Sequence, residues 1–128
     1  MIDTGPLPDA VQRMESLIGQ GAWEDAAACF TPGVTYRVGA RPPVTGLDGI
    51  RRYMEWQTER VSWDGHDLNR ILVRDSTVLF EVVSHFTRRA DGSTFKLPCV
   101  DIYTFEGDRI ADWRVYADMT AFAPDPQT

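Results

Sequence analysis

The alternation of apolar and polar residues is clearest near the end of the chain, between Leu97 and Asp118. From Leu97 to Phe105, every second residue is apolar or aromatic, with one exception. That spacing predicts a strand with one buried face, because successive side chains of a strand point to opposite sides of a sheet. The exception is Asp101, which places a carboxyl group in an otherwise apolar row. Asp101 is therefore the first candidate for chemistry.

A second strand follows a predicted tight turn at Gly107-Asp108. Trp113, Val115 and Ala117 would share its inner face. A bulge would reverse the faces, because one extra residue turns every later side chain to the other side. The outward residues of an unbroken strand are Asp112, Arg114, Tyr116 and Asp118.

The earlier part of the chain predicts helices first and strands afterwards, which indicates an α+β domain. Val11, Met14, Leu17 and Ile18 form a helical stripe after a capping Asp9, and residues 1–8 are predicted to be a loose arm. The other predicted helices are Trp23–Phe30, stopped by Thr31-Pro32-Gly33, and Asp48–Glu59; the other predicted strands are Val34–Val38, His66–Val73 and Val78–Arg88.

Composition and charge narrow the classes of function. With 128 residues, 43% of them hydrophobic, residues 1–128 are expected to form one domain, with a second loose segment at 121–128. A net charge of −6 argues against nucleic acid or an anionic membrane as partner. The two cysteines, Cys29 and Cys99, show no metal spacing and are expected to be buried thiols. The first residues lack a secretory signal pattern, which favours the cytoplasm.

Several motifs in this order resemble the SnoaL-like branch of the nuclear transport factor 2-like superfamily. They are GAWEDAAACF, VTY, TGLDGIRRYMEW and VDIYTFEGDRIADWRVYAD, and the resemblance extends over nearly the whole chain. The resemblance implies a cone-shaped α+β fold, in which a curved antiparallel or mixed sheet packs against three N-terminal helices around a pocket. It also implies a small hydrophobic molecule as partner, with no cofactor and no metal.

Two enzymes of the superfamily can be compared position by position. In the comparison with ketosteroid isomerase, Asp101 matches the acid of the oxyanion hole, but Met14 and Val38 replace its tyrosine and its general base. In the comparison with limonene epoxide hydrolase, Tyr36 matches the water-positioning tyrosine. The catalytic Asp-Arg-Asp set of that enzyme would fall on Ser84, Val82 and Val115, which cannot supply paired acid and base groups.

The polyketide cyclases of the superfamily close rings without a cofactor, using carboxyl groups in the pocket. Asp101 could supply the acid or the base of such a step, assisted by Tyr36. Its protonation state depends on two opposing effects, because burial raises the pKa of a carboxyl group and hydrogen bonds to the ionised form lower it. The alternative is a carboxylate that a neighbouring hydroxyl or amide satisfies. The remaining predicted pocket residues are Trp113, Phe80, Ser84, Phe86, Leu97, Cys99, Met54, Val38, Met14 and Val115.

Other candidates are expected to lie outside the pocket. Strand parity turns His85 to the outer face, and His66 is expected to be exposed. Trp23 and Trp56 are weaker candidates for pocket walls than Trp113. A half-apolar outer face suits a homodimer interface. That face would carry Val83, Val100, Ile102 and Tyr116, mixed with Glu81, Lys96 and Arg114.

Three functions therefore remain open. The first is an enzyme that performs cyclase, isomerase or dehydratase chemistry on a hydrophobic, oxygenated substrate, with Asp101 as acid or base. The second is a binding or carrier protein with the same pocket and no chemistry. The third is a protein-interaction domain, which would show an exposed apolar patch and a collapsed cavity.

Overall fold

The computed structural model describes residues 5–122, and its three α-helices all precede the four strands of the second half of the chain. Helix α1 begins at a proline and turns Pro8, Val11 and Met14 into the core. Helix α3 buries Ile50 and carries Asp48 in its first turn, where a carboxylate complements the free amide groups. The helices are α1 (Pro6–Gly19), α2 (Trp23–Ala26) and α3 (Gly46–Arg60), with short 3₁₀ segments at Ala27–Cys29 and Met119–Phe122.

Six strands form one mixed sheet in the order β2-β1-β6-β5-β4-β3. Neighbouring strands pair antiparallel except β1 and β6, which are parallel. The helices and one face of this curved sheet bury a common apolar core. The strands are β1 (Phe30–Val38), β2 (Val44–Thr45), β3 (Val61–Arg74), β4 (Thr77–Arg88), β5 (Thr94–Glu106) and β6 (Arg109–Ala117).

The final hairpin has the predicted faces. Asp101 pairs with Val115, and Tyr103 pairs with Trp113 across β5 and β6, so these side chains share the inner face. The turn lies at Gly107-Asp108, where Gly107 has φ +63°, a conformation that glycine adopts without steric cost. The only register shift in this pair of strands lies between Thr104 and Phe105. The pairing of Trp113, Val115 and Ala117 with β5 is therefore regular.

Several predicted boundaries are wrong; strand β3, for example, begins at Val61 rather than at His66. Helix α1 begins at Pro6, so residues 6–8 are helical rather than loose, while residues 1–4 lie outside the described part. Ala121 and Phe122 belong to the 3₁₀ segment rather than a loose tail, and Phe122 packs on Phe86 and Phe95. The rest of the predicted loose tail, residues 123–128, also lies outside the described part.

Another wrong boundary concerns Thr31-Pro32-Gly33, which was expected to end a helix and instead lies inside β1. The helix gives way to a 3₁₀ turn at Ala27–Cys29. Proline is tolerated here because the pairing of β1 with β6 jumps from Phe30 to Thr35, which leaves the intervening residues out of the ladder.

Candidate functional site

A cavity of about 860 Å³ lies between the helices and the inner face of the sheet. Its walls are mostly apolar and aromatic, and its volume is that of a small-molecule site. All twelve side chains that the sequence assigned to a pocket lie on this cavity, because they occupy inward positions of β1, β4, β5, β6, α1 and α3. They are Met14, Tyr36, Val38, Met54, Phe80, Ser84, Phe86, Leu97, Cys99, Asp101, Trp113 and Val115.

Asp101 is partly buried and has two protein donors. The indole Nε1–H of Trp113 donates to its Oδ2 at 3.1 Å, and the hydroxyl of Tyr103 donates to the same oxygen at 3.2 Å. Within residues 5–122, no hydrogen bond reaches the other oxygen, Oδ1. The two donors therefore fix the orientation of the carboxyl group and leave one oxygen available to a ligand.

Burial raises the pKa of Asp101 to about 6, although the hydrogen bonds from Trp113 and Tyr103 lower it. The carboxyl group is therefore divided between its ionised and protonated forms close to neutral pH. Such a group can both accept and release a proton, which is the property that general acid–base catalysis requires.

Tyr36 forms an aromatic wall of the cavity rather than a partner of Asp101. Its side chain is 4% exposed, and its ring lies 4.6 Å from that of Trp113 and 5.4 Å from that of Tyr53, centroid to centroid. Burial raises the pKa of its hydroxyl well above the usual value, so the group is protonated. The hydroxyl that donates to Asp101 is that of Tyr103, which the sequence had placed only in the inner row.

Glu15 is a cavity residue that the sequence analysis missed. It lies on α1, its side chain is 20% exposed, and it lines the cavity beside Met14. Burial and the charge of Asp101 raise its pKa to about 8. A signal was present, since position 15 is one helical turn after the buried Val11 and belongs to the same stripe.

His66 was expected to be exposed, and that prediction is wrong. Its side chain is 18% exposed and lines the cavity, with Nδ1 3.9 Å from Oε2 of Glu15. The cause is a bulge in β3, where Gly65 has φ +99° and the pairing with β4 shifts between Trp63 and His66. The bulge pairs His66 with the inward-facing Ser84. Burial lowers the pKa of His66, so its ring is neutral at neutral pH.

The other predicted candidates divide as follows. His85 is absent from the cavity lining, and its Nε2 lies 2.9 Å from Oδ2 of Asp67. Asp118 is also absent from the lining and accepts hydrogen bonds from Thr120. Trp23 lines the cavity, whereas Trp56 stacks under the guanidinium groups of Arg41 and Arg60.

The cysteines are free and buried, as expected. Burial raises the pKa of Cys99 to about 12, so its thiol is protonated. Across residues 5–122, no cluster of three or more His, Cys, Asp or Glu side chains has the arrangement of a metal site. No helix within the same range is long and apolar enough to cross a bilayer.

The positions compared with the two enzymes lie on the cavity but carry no acid–base pair. Met14 and Val38, which replace the tyrosine and the base of ketosteroid isomerase, are both buried apolar side chains. The epoxide hydrolase positions hold Ser84, Val82 and Val115, all on the cavity lining. The carboxyl groups on the cavity lining are instead Asp101 and Glu15, together with the exposed Glu55 and Glu59, a different arrangement.

The sequence matches the family model of the SnoaL-like domain over residues 11–113. No curated protein is similar enough in sequence to match. The fold is similar to that of an NTF2-like protein from Burkholderia xenovorans LB400, with a TM-score of 0.81 and 16% identity over 96% of this chain and 97% of that protein.

Two further solved structures have related folds. A candidate SnoaL-like polyketide cyclase from Jannaschia sp. CCS1 has a TM-score of 0.77, with 17% identity over 94% of each chain. TerC, co-crystallised with polyporic acid, has a TM-score of 0.80, with 14% identity over 92% of this chain and 95% of TerC. Identities this low establish the fold alone. Because the family model matches most of this chain, the chain belongs to the SnoaL-like domain family, and it has the α+β fold of the NTF2-like proteins.

Proposed function

We propose that this protein is a cofactor-free enzyme that performs cyclase, isomerase or dehydratase chemistry on a hydrophobic, oxygenated small molecule, with Asp101 as acid and base. One observation carries the proposal. Asp101 faces a largely apolar cavity, and its two protein donors both bind Oδ2. An oriented carboxyl group with a free oxygen in such a cavity suits proton transfer to or from a bound substrate.

The chemistry that fits best begins at a carbon atom next to a carbonyl group. Asp101 in its ionised form removes a proton from that carbon, and the developing enolate is stabilised by donors in the cavity. A pKa of about 6 supports this role, because a base that titrates near neutral pH combines a useful ionised fraction with adequate basicity. The protonated acid then returns the proton in the same or a later step.

The remaining predicted residues would bind the substrate. Tyr36, Trp113 and Phe80 present aromatic surface, whereas Ser84 presents one hydroxyl group. Tyr53 adds a further polar group, because its hydroxyl is buried without a hydrogen-bond partner among the described residues. Most of the contact is therefore apolar, with a few polar groups that orient an oxygenated ligand.

The comparisons support this class of function without fixing the reaction. One protein of the same fold is a candidate polyketide cyclase, and another was crystallised with polyporic acid. We infer for this chain a ligand of comparable character, a small molecule with oxygen substituents.

The test is hydrogen exchange on β-tetralone, a bicyclic aromatic ketone with acidic C–H groups beside its carbonyl. The ketone is incubated in D₂O with the wild type or with Asp101→Asn, and loss of the C–H signals is followed by proton NMR. We expect the wild type to accelerate exchange over buffer, and Asp101→Asn to lower that acceleration by about 100-fold or more. Equal exchange by both proteins would overturn the role of Asp101.

A carrier protein with the same cavity is the second candidate. The replacement of acid–base residues by Met14 and Val38 favours it, because the base of ketosteroid isomerase is missing. A carrier would bind β-tetralone, measured by quenching of tryptophan fluorescence, and would leave its exchange at the rate of buffer. That combination would replace the enzymatic proposal by the carrier.

For assembly, we propose a homodimer through the outer face of the sheet, in the cytoplasm. Tyr116 is 48% exposed there and aligns with Val100 and Glu81 across β6, β5 and β4. A second row aligns Leu72, Leu79 and Ile102. Apolar rows between charged residues are suited to a contact with an identical face.

A further inference from the structure

We propose that Glu15 is a second catalytic carboxyl group, which gives a proton to the substrate oxygen while Asp101 removes one from carbon. The inference rests on the proposed function, since it names the acid of the same reaction. Glu15 lies on α1 and lines the cavity. The inward-facing residues of β5, which include Asp101, line the same cavity.

Glu15 lacks the partners that a mostly buried carboxyl group ordinarily has. Its side chain is 20% exposed, and no hydrogen bond joins it to another group within residues 5–122. The nearest basic atom, Nδ1 of His66, is 3.9 Å from Oε2, which is too far for a hydrogen bond. The carboxyl oxygens of Glu15 are therefore open to the cavity and available to form hydrogen bonds with a bound molecule.

The groups that face Glu15 keep it protonated. Asp101 and Tyr103 face it from β5, and His66 faces it from β3. None of them supplies a positive charge at neutral pH, because burial lowers the pKa of His66 and keeps its ring neutral. Two carboxyl groups in one poorly solvated space do not ionise together, so Glu15 keeps its proton while Asp101 is a carboxylate.

This division gives a balanced proton transfer. The Asp101 carboxylate takes the proton from carbon, and the electron pair of that C–H bond forms a carbon–carbon double bond. The carbonyl electrons move to oxygen, which takes the proton of Glu15. The product is an enol, with Asp101 protonated and Glu15 ionised, and the reverse transfer at another carbon completes an isomerisation. No oxidant, reductant or cofactor is required.

The experiment compares wild type, Glu15→Gln, Asp101→Asn and the control Glu24→Gln in the β-tetralone exchange assay. Glu24 is an exposed carboxylate on α2, so its substitution makes the same chemical change outside the cavity. Glutamine keeps the size of Glu15 and can donate a hydrogen bond, but it cannot release a proton. We expect Glu15→Gln to lower kcat by about 100-fold with little change in KM, and Glu24→Gln to match the wild type.

The outcomes separate the two proposals. Wild-type exchange by Glu15→Gln, with exchange abolished in Asp101→Asn, would overturn the role of Glu15 and leave that of Asp101. Unchanged exchange in both variants would overturn both. The pH profile adds a readout that a structural role would not move. The wild-type rate is expected to fall above about pH 8, where Glu15 loses its proton, and this alkaline limb should be absent in Glu15→Gln. A limb that persists there would contradict the proposal.

Discussion

The indole Nε1–H of Trp113 donates to Oδ2 of Asp101 at 3.1 Å, from the neighbouring strand β6. This hydrogen bond lowers the pKa of Asp101 against the larger effect of burial. Trp113 therefore acts on the reaction through the carboxyl group, in addition to forming a wall of the cavity. The contribution can be isolated, because phenylalanine retains an aromatic ring and removes only the donor and the second ring.

The first prediction concerns Trp113→Phe. Loss of the donor removes stabilisation of the ionised form, so the pKa of Asp101 should rise by about one pH unit. The acidic limb of the β-tetralone profile should move upward by the same amount. Carbon-13 NMR of the carboxyl group measures the shift directly. Trp56→Phe is the control, because Trp56 stacks on arginine side chains away from the cavity. An unmoved acidic limb would show that the indole does not tune Asp101.

A second prediction follows for stability against pH. The folded-state pKa values of Asp101 and Glu15, about 6 and about 8, lie above their usual values of 3.8 and 4.5. The folded protein therefore binds more protons than the unfolded chain, and its free energy of unfolding should fall as the pH rises from about 4 to about 8.

Glu15→Gln should remove the part of this fall in the free energy of unfolding that comes from Glu15. We expect the variant and the wild type to be about equally stable near pH 4, and the variant to gain about 4–5 kcal/mol by pH 8.5, measured by urea denaturation. Glu24→Gln controls for net charge and should follow the wild type. Parallel curves for Glu15→Gln and the wild type would contradict the elevated pKa.

The bulge at Gly65 gives a third prediction. Its φ of +99° is costly for any residue with a Cβ atom, so Gly65→Ala should destabilise the protein by about 1–2 kcal/mol or more. Gly33→Ala in β1 is the matched control, since a Cβ there meets no atom within 4 Å and φ is not in the left-handed region. Equal effects of the two substitutions would mean that the bulge is not held by the glycine.

The fourth prediction tests the outer face of the sheet. Tyr116→Glu would place a charge in the proposed interface, so we expect it to convert a dimer into a monomer, measured by light scattering after size-exclusion chromatography. Arg109→Glu, at the exposed start of β6, is the control for added negative charge and should stay dimeric. A wild-type protein that is monomeric at high concentration would reject the interface.

Much of the cavity could be predicted because strand alternation is a local property. Once β5 is assigned, the inner positions of Leu97, Asp101 and Tyr103 follow from parity alone, and β4 and β6 behave in the same way. The predicted order, three helices with one early strand and then a run of strands, was confirmed for the same reason, since each element has its own period. Strand alternation could not predict the hydrogen-bond partner of each polar group. Tyr103, two residues along the strand from Asp101, donates to it, whereas Tyr36 was the tyrosine expected to assist Asp101.

The errors arise where a single residue changes the geometry of a strand. A glycine within a strand pattern often marks a bulge, and Gly65 does so here, which turned His66 inward against the prediction. Pro32 was interpreted as a helix stop, whereas the irregular pairing of β1 with β6 accommodates it within the strand. Glu15 was missed because charged residues are rarely buried, although its helical position indicated the core.

The parallel pairing of β1 with β6 has a consequence for how the protein is built. Thr35 and Asp112, whose side chains are hydrogen-bonded across these strands, are 77 residues apart in the chain. Contacts between such distant segments close a long loop and form slowly compared with local hairpins. Tyr36 and Trp113 meet across the same pair of strands. During synthesis, the helices and the β3–β4 hairpin precede β6, so the cavity and the Trp113 contact to Asp101 can be completed only after almost the whole chain has been made.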